Sequence, residues 1–121
     1  MLIGELAART GTTTRALRFY EEQGLMTSDR TASGYRVYEE TAVRRVTNIR
    51  DLLDTGFTVE DVRAFLPHLD RDLPEVFHLE PRCTTGYAQV GAPRVAHLNE
   101  RIAQLTELRD RLVARMPWLA D

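Results

Sequence analysis

A chain of 121 residues with 43% hydrophobic and 28% charged residues has the length and composition of one folded domain with an appended segment, which excludes a largely disordered chain. No apolar run approaches the roughly 20 residues that span a bilayer, and no signal-like segment opens the sequence, so we expect a cytoplasmic protein without membrane contact. The net charge of −2 is unevenly spread: residues 1–50 hold eight arginines against six acids, and the remainder holds eight against twelve. This asymmetry predicts a basic head and an acidic remainder.

The first two predicted helices are joined by a short link. Apolar residues at helical spacing within 2–10, followed by Gly11, predict a first helix. Thr12 or Thr13 can cap a second helix over 14–23, which contains no helix breaker. The intervening link of about three residues is typical of a helix-turn-helix.

The second predicted helix has two different faces. At 100° per residue, Leu17 and Tyr20 lie on one side, while Arg15, Arg18 and Phe19 lie on the other. Guanidinium groups on the second helix of a helix-turn-helix can reach guanine edges or phosphates in a major groove. The pattern therefore favours one packed face and one DNA-binding face.

The segments that follow predict a hairpin and two more helices. Residues 31–38 have a turn-rich centre between short β-compatible pieces, which indicates a small two-stranded wing. Apolar spacing predicts a third helix over 41–55. Thr58 and Asp61 resemble a capping box for a fourth helix that runs to about Leu66, just before a proline.

The last third of the chain contains a breaker-rich stretch and then a long helix. Four prolines and two glycines within 67–93 predict a linker. We therefore expect a mostly α chain with three parts: a winged helix-turn-helix DNA-binding domain at 1–69, a linker at 70–92, and a dimerisation helix with a short tail at 93–121.

The final helix, about 22 residues long, carries an apolar stripe at coiled-coil spacing. Arg109 is the one exception to that stripe. A chain of this length cannot easily bury such a stripe alone, so we expect a homodimer. The a and d positions, which form the predicted dimer interface, are Val95, Leu98, Ile102, Leu105, Leu112 and Met116.

The order of residues in the head resembles that of the MerR family of bacterial transcription regulators. The resemblance covers about residues 2–66 and extends more loosely to the heptad helix. The matching stretches are Ile3-Gly4-Glu5-Leu6-Ala7, Gly11-Thr12-Thr13-Thr14-Arg15-Ala16-Leu17-Arg18-Phe19-Tyr20-Glu21-Glu22-Gln23-Gly24-Leu25, Arg30, Gly34-Tyr35-Arg36-Val37-Tyr38 and 52–66 with its Gly56-Phe57-Thr58.

The resemblance implies a homodimer, joined by an antiparallel coiled coil, that binds a palindromic promoter site. Such regulators distort promoter DNA so that RNA polymerase can engage it. By position, Arg18 and Tyr20 would contact the DNA backbone, and Arg15 would lie nearest the bases. Phe19 replaces a tyrosine often found there. The full set of candidate DNA-binding residues is Thr13, Arg15, Arg18, Phe19, Tyr20, Arg30, Tyr35, Arg36 and Tyr38.

The signal to which the regulator responds is not evident from the sequence. Cys83 matches in position the first cysteine of the family's metal- and redox-sensing sites, but no later cysteine follows it. One chain thus lacks the ligands of a thiolate-rich metal site. We predict no cofactor and no metal site, and we name Cys83, beside Arg82, as a candidate thiol sensor.

We interpret the sequence as a DNA-binding transcription regulator, with duplex DNA, a second copy and RNA polymerase as partners and with an unidentified effector. No catalytic constellation or phosphate-binding glycine loop suggests an enzyme. Two alternatives remain open at this point. One is a helical adaptor whose coiled coil binds a partner protein, and the other is a redox or metal sensor based on Cys83.

Overall fold

The computed structural model describes residues 1–78 and 86–120. The chain divides into two compact units, Met1–Ala88 and Gln89–Asp121. The predicted fold class is confirmed, because the first unit is a helical head with one antiparallel hairpin and the second is dominated by one long helix. The elements are α1 (Ile3–Thr10), α2 (Thr14–Glu22), β1 (Asp29–Arg30), β2 (Arg36–Val37), α3 (Thr41–Thr55), α4 (Val59–Val62) and α5 (Gly91–Arg115), with 3-10 helices at Arg63–His68, Gly86–Gln89 and Pro117–Leu119.

The link between α1 and α2 is fixed by a glycine and a threonine. Gly11 adopts a left-handed conformation with φ of 66°, and its N–H bonds to carbonyls of the last turn of α1. The Thr13 hydroxyl accepts a hydrogen bond from the backbone N–H of Ala16 at 3.1 Å and so caps α2. The two helices therefore form the predicted helix-turn-helix.

The hairpin, which we call the wing, consists of β1, β2 and the turn between them. Arg30 pairs with Arg36 in antiparallel register, and the turn closes where the N–H of Gly34 donates to the Thr31 carbonyl at 2.9 Å. Leu2 forms an isolated bridge with Val37 on the opposite edge of β2. The first strand begins at Asp29, earlier than the predicted range 31–38, because the turn itself occupies 31–35.

The core of the head lies around α3. Val46 and Ile49 are fully buried there, together with Leu6 of α1 and Leu17 of α2. The buried amide of Asn48 donates two 2.8 Å hydrogen bonds, to the carbonyls of Leu69 and Arg71. These bonds satisfy a buried polar group and tie the segment after α4 to α3.

The fourth helix differs from the sequence prediction. Its capping box is present, since the side chains of Thr58 and Asp61 each bond the other residue's backbone N–H. However, α4 ends at Val62 and the chain continues as the 3-10 helix Arg63–His68. Pro67 lies inside that helix, and a proline lacks the N–H that an α-helix would use at this position.

Helix α5 is longer than predicted. Its 25 residues correspond to about 38 Å at 1.5 Å per residue. It begins at Gly91, inside the predicted linker, because Pro93 falls in the first turn, where the N–H of a proline is not required. None of the helices in the described part of the chain combines the length and apolar character that a bilayer crossing needs.

Candidate nucleic-acid interface

Helix α2 presents the two faces that the sequence predicts. Leu17 and Tyr20 are buried, whereas Arg15, Arg18 and Phe19 are exposed. Because this helix follows a tight turn and is capped at Thr13, its exposed face has a fixed direction relative to the core. The geometry matches the second helix of a helix-turn-helix.

The arginines of the basic head differ in whether they have a partner. Arg15 and Arg18 have no hydrogen-bond or ion-pair partner among the residues that the structure describes. The other six arginines within residues 1–50 each have an ion pair or a hydrogen bond inside the head: Arg9 with Glu40, Arg30 with the Gly34 carbonyl, Arg36 with Glu21, Arg44 with Asp72, Arg45 with Asp70, and Arg50 with the Thr10 carbonyl. The two unpaired guanidinium groups are therefore both on the exposed face of α2.

The wing carries three further candidate residues. The Nη1 atom of Arg30 donates to the Gly34 carbonyl at 2.8 Å, so this arginine also helps to close the turn. Tyr35 is 67% exposed at the turn. Arg36 is half-buried, and its buried Nε atom lies 3.2 Å from the Glu21 carboxylate, as an ion pair without a hydrogen bond among the described residues. Tyr35 therefore presents most of its side chain to solvent.

Two candidate tyrosines lie in the core. Tyr20 is buried, and its burial raises the pKa of the phenol. Tyr38 is only 3% exposed and its hydroxyl donates a hydrogen bond to the carboxylate of Glu21. Burial, reinforced by that hydrogen bond, raises the pKa of Tyr38 to about 12. Both side chains therefore pack inside the head beside α2 and the wing, and they add little to the exposed surface.

Glu21 is a residue of the site that the sequence analysis did not single out. Its side chain is 15% exposed and meets both Arg36 and Tyr38. Four residues after Leu17, it lies on the packed side of α2, where a carboxylate requires an internal partner. A charge on the packed face was therefore the signal that could have identified it.

Except for Met116, which caps its end, the predicted dimer residues lie on α5, which has no buried residue. Leu105 is 58% exposed, and the guanidinium of Arg109 forms an ion pair with Asp110 at 3.1 Å. Leu108, outside the predicted stripe, is also exposed. The predicted seam residues Val95, Leu98, Ile102, Leu105 and Leu112 are all exposed, and Met116 is half-buried.

The candidate sensor Cys83 lies outside the described residues. Among the residues that are described, no group of three or more His, Cys, Asp or Glu side chains is placed to hold a metal ion.

A helix-turn-helix with an exposed arginine face and an adjacent hairpin defines a winged DNA-binding protein. Comparison with family models agrees: a MerR HTH regulatory-protein model matches residues 1–69, and a MerR DNA-binding model matches residues 43–115. The chain belongs to the MerR family, and it is a DNA-binding transcription regulator.

The chain is similar to several regulators of known type and covers most of the length of the three named here. The chain is 33% identical over 115 residues to the HTH-type transcriptional regulator CueR of Yersinia pestis, covering 94% of this chain and 77% of that protein. It is 30% identical over 113 residues to HmrR of Rhizobium leguminosarum bv. viciae, covering 93% and 81%. The structure of the regulator PbrR691 from Ralstonia metallidurans CH34 in complex with lead(II) superposes with a TM-score of 0.65 at 26% identity, covering 97% of this chain and 83% of that one.

Proposed function

We propose that the protein is a homodimeric regulator that binds an inverted repeat in promoter DNA through α2 and the wing. The observation that carries this proposal is that Arg15 and Arg18 lack internal partners while the head's other six arginines within residues 1–50 are engaged. An exposed, unpaired guanidinium can neutralise a phosphate or donate two hydrogen bonds to guanine without breaking an existing bond. The charge that is free to meet DNA is therefore concentrated on one helix face.

The two arginines have different proposed roles. Contacts to phosphates fix the position of a protein on the duplex, whereas contacts to base edges select the sequence. We assign Arg18, with the wing residue Arg36, to the DNA backbone, and Arg15 to a base edge. Thr13, Phe19, Arg30 and Tyr35 complete the proposed contact surface. Tyr20 and Tyr38, which are buried, are assigned to support it from the core.

The second copy of the chain is the proposed partner of α5. A helix of 25 residues without a single buried side chain gains little stability from tertiary packing on its own. Antiparallel pairing would cover the exposed apolar residues Leu98, Ile102, Leu105 and Leu112. Two joined heads would then match two half-sites with inverted symmetry.

RNA polymerase is the third proposed partner, and its support is family membership. Members of the family distort promoter DNA, and we propose the same action here. The regulator would act in the cytoplasm, where the bacterial chromosome lies, and would have no catalytic activity of its own. We propose no cofactor, and the effector is left unassigned.

The test of the proposed interface compares three alanine substitutions that remove one positive charge each. Arg15→Ala and Arg18→Ala should each weaken binding to the operator by roughly 1 to 3 kcal/mol, and Arg15→Ala should also relax base preference. The control is Arg44→Ala, because Arg44 already forms an ion pair with Asp72. Fluorescence anisotropy titrations measure all three. Equal affinity in all three variants would reject α2 as the reading helix.

A further inference from the structure

We propose that Glu21 is a positioning residue that holds strand β2 of the wing in a fixed place against α2. The proposal rests on the proposed DNA-binding function, since its consequence is the correct placement of Arg36 for the duplex. The proposal explains why Glu21, an acidic residue, lies within a surface proposed to bind DNA, where a negative charge is otherwise unfavourable.

One carboxylate, that of Glu21, meets two side chains. Arg36 lies in β2 and Tyr38 directly follows that strand, two residues further on, and both side chains contact Glu21. The Nε of Arg36 lies 3.2 Å from Oε2 of Glu21, and the Tyr38 hydroxyl donates to Oε1. Each carboxylate oxygen therefore has its own partner, one in β2 and one in the residue that follows it.

The wing has few other anchors. Its strands β1 and β2 contain two residues each, and a two-stranded hairpin of this size is at best marginally stable alone. On its other edge, β2 has the Leu2–Val37 bridge, and the N–H of Tyr38 donates to the Met1 carbonyl at 2.8 Å. Backbone pairing thus fixes the edges of β2, and Glu21 ties it to α2.

The contact also orients the guanidinium of Arg36. The ion pair joins Nε to the carboxylate without a hydrogen bond in the described part of the chain, and a guanidinium carries four further N–H donors on its two Nη atoms. Attraction between the carboxylate and the partly buried guanidinium restricts where this planar group lies, and so restricts the direction of those donors. Glu21 thereby limits the positions of Arg36 as a phosphate donor, and the ion pair balances the charge of Glu21.

Two substitutions that each remove one negative charge distinguish a positioning role of Glu21 from a general effect of its charge on DNA binding. Glu21→Gln and Glu22→Gln each remove one negative charge from the end of α2, and Glu22 is exposed with no partner among the described residues. Loss of negative charge alone favours DNA binding, so Glu22→Gln should bind as tightly as the parent or more tightly. Glu21→Gln should bind more weakly, by up to about fivefold, because Arg36 is no longer held.

The same substitution in an Arg36→Ala chain shows whether Glu21→Gln weakens DNA binding by way of Arg36. In an Arg36→Ala chain, Glu21→Gln should no longer weaken binding, since there is no guanidinium to position. A merely structural role of Glu21 would weaken binding equally in both backgrounds. That result, or tighter binding by Glu21→Gln in the parent background, overturns the proposal.

Hydrogen exchange of the DNA-free protein separates this proposal from the proposed function. Amides of Arg36–Tyr38 should exchange faster in Glu21→Ala than in the parent, and Glu22→Ala should leave them unchanged. Unchanged exchange in Glu21→Ala overturns the positioning role, whatever the DNA result. If exchange increases but the parent protein binds no duplex DNA, the proposed function fails while the anchoring of β2 by Glu21 stands.

Discussion

Tyr38 lies between the wing and α2, and it is a candidate DNA-contact residue whose side chain instead forms a hydrogen bond inside the head. Sequence position placed it in the DNA-binding wing, but its ring is 3% exposed and its hydroxyl is bonded to Glu21. The partner is 17 residues away in the chain, so no local pattern indicates the pair. By contrast, the exposure of Arg15 and Arg18 follows from helical periodicity alone and was correctly predicted.

The raised pKa of Tyr38 leads to a prediction about alkaline stability. Folding raises this pKa to about 12, so its stabilising contribution is fully present below the ordinary pKa near 10 and is lost as the pH rises towards 12. The total loss should reach about 3 kcal/mol at most. Urea unfolding of the parent and Tyr38→Phe at about pH 9 and about pH 11 measures it.

The Phe variant should show a smaller decrease in unfolding free energy between the two pH values. This substitution is a well-matched comparison with the parent, because it keeps the ring in the core and removes only the ionisable hydroxyl. The raised pKa of Tyr20, caused by burial, remains in both proteins and contributes equally. Identical pH dependence in the two proteins would contradict the account of Tyr38.

Among the secondary-structure elements, the features that depend on neighbouring residues in the chain are the ones that the sequence predicts. The glycine after α1, the threonine cap of α2 and the capping box of α4 are all local signals, and all three are present. The fourth helix ends earlier than predicted, at Val62, because the missing N–H of Pro67 affects the turn before it, which continues as a 3-10 helix. Apolar spacing indicates which residues are buried, such as Phe65, but does not distinguish an α-helix from a 3-10 helix over so short a segment.

The cap of α2 gives a prediction for stability. Thr13→Ala removes the acceptor for the Ala16 N–H and should destabilise the head by about 1 kcal/mol. Thr13→Ser retains a hydroxyl, so the head should lose much less stability. Thermal unfolding followed by circular dichroism compares the two. Similar losses for both variants would mean that the hydroxyl contributes little to the cap.

The apolar face of α5 gives a prediction for assembly. Leu105→Arg places an unpaired charge in the proposed seam, which should cost several kcal/mol and yield monomers in sedimentation velocity. Ala103→Arg adds the same charge on the opposite side of the helix and should remain dimeric. If both variants remain dimeric, the interface between copies lies elsewhere than on this stripe.

At the scale of the whole molecule, a chain with net charge −2 binds a polyanion only if its charge is arranged locally. The free guanidinium groups on α2 meet that requirement, and affinity should fall steeply with salt because phosphate contacts release counterions. Removing Arg18 should reduce the slope of log affinity against log salt by about one unit. Titrations at several salt concentrations, with Arg44→Ala as the control, measure this slope. An unchanged slope for Arg18→Ala would remove Arg18 from the phosphate contacts.

The central claim is that two heads, joined through α5, bind two symmetric half-sites. Selection of duplexes from a randomised DNA library by the full-length protein tests it most directly. The account predicts enrichment of an inverted repeat with a fixed distance between half-sites. Enrichment of a single asymmetric element, or recovery of no preferred sequence, would contradict it.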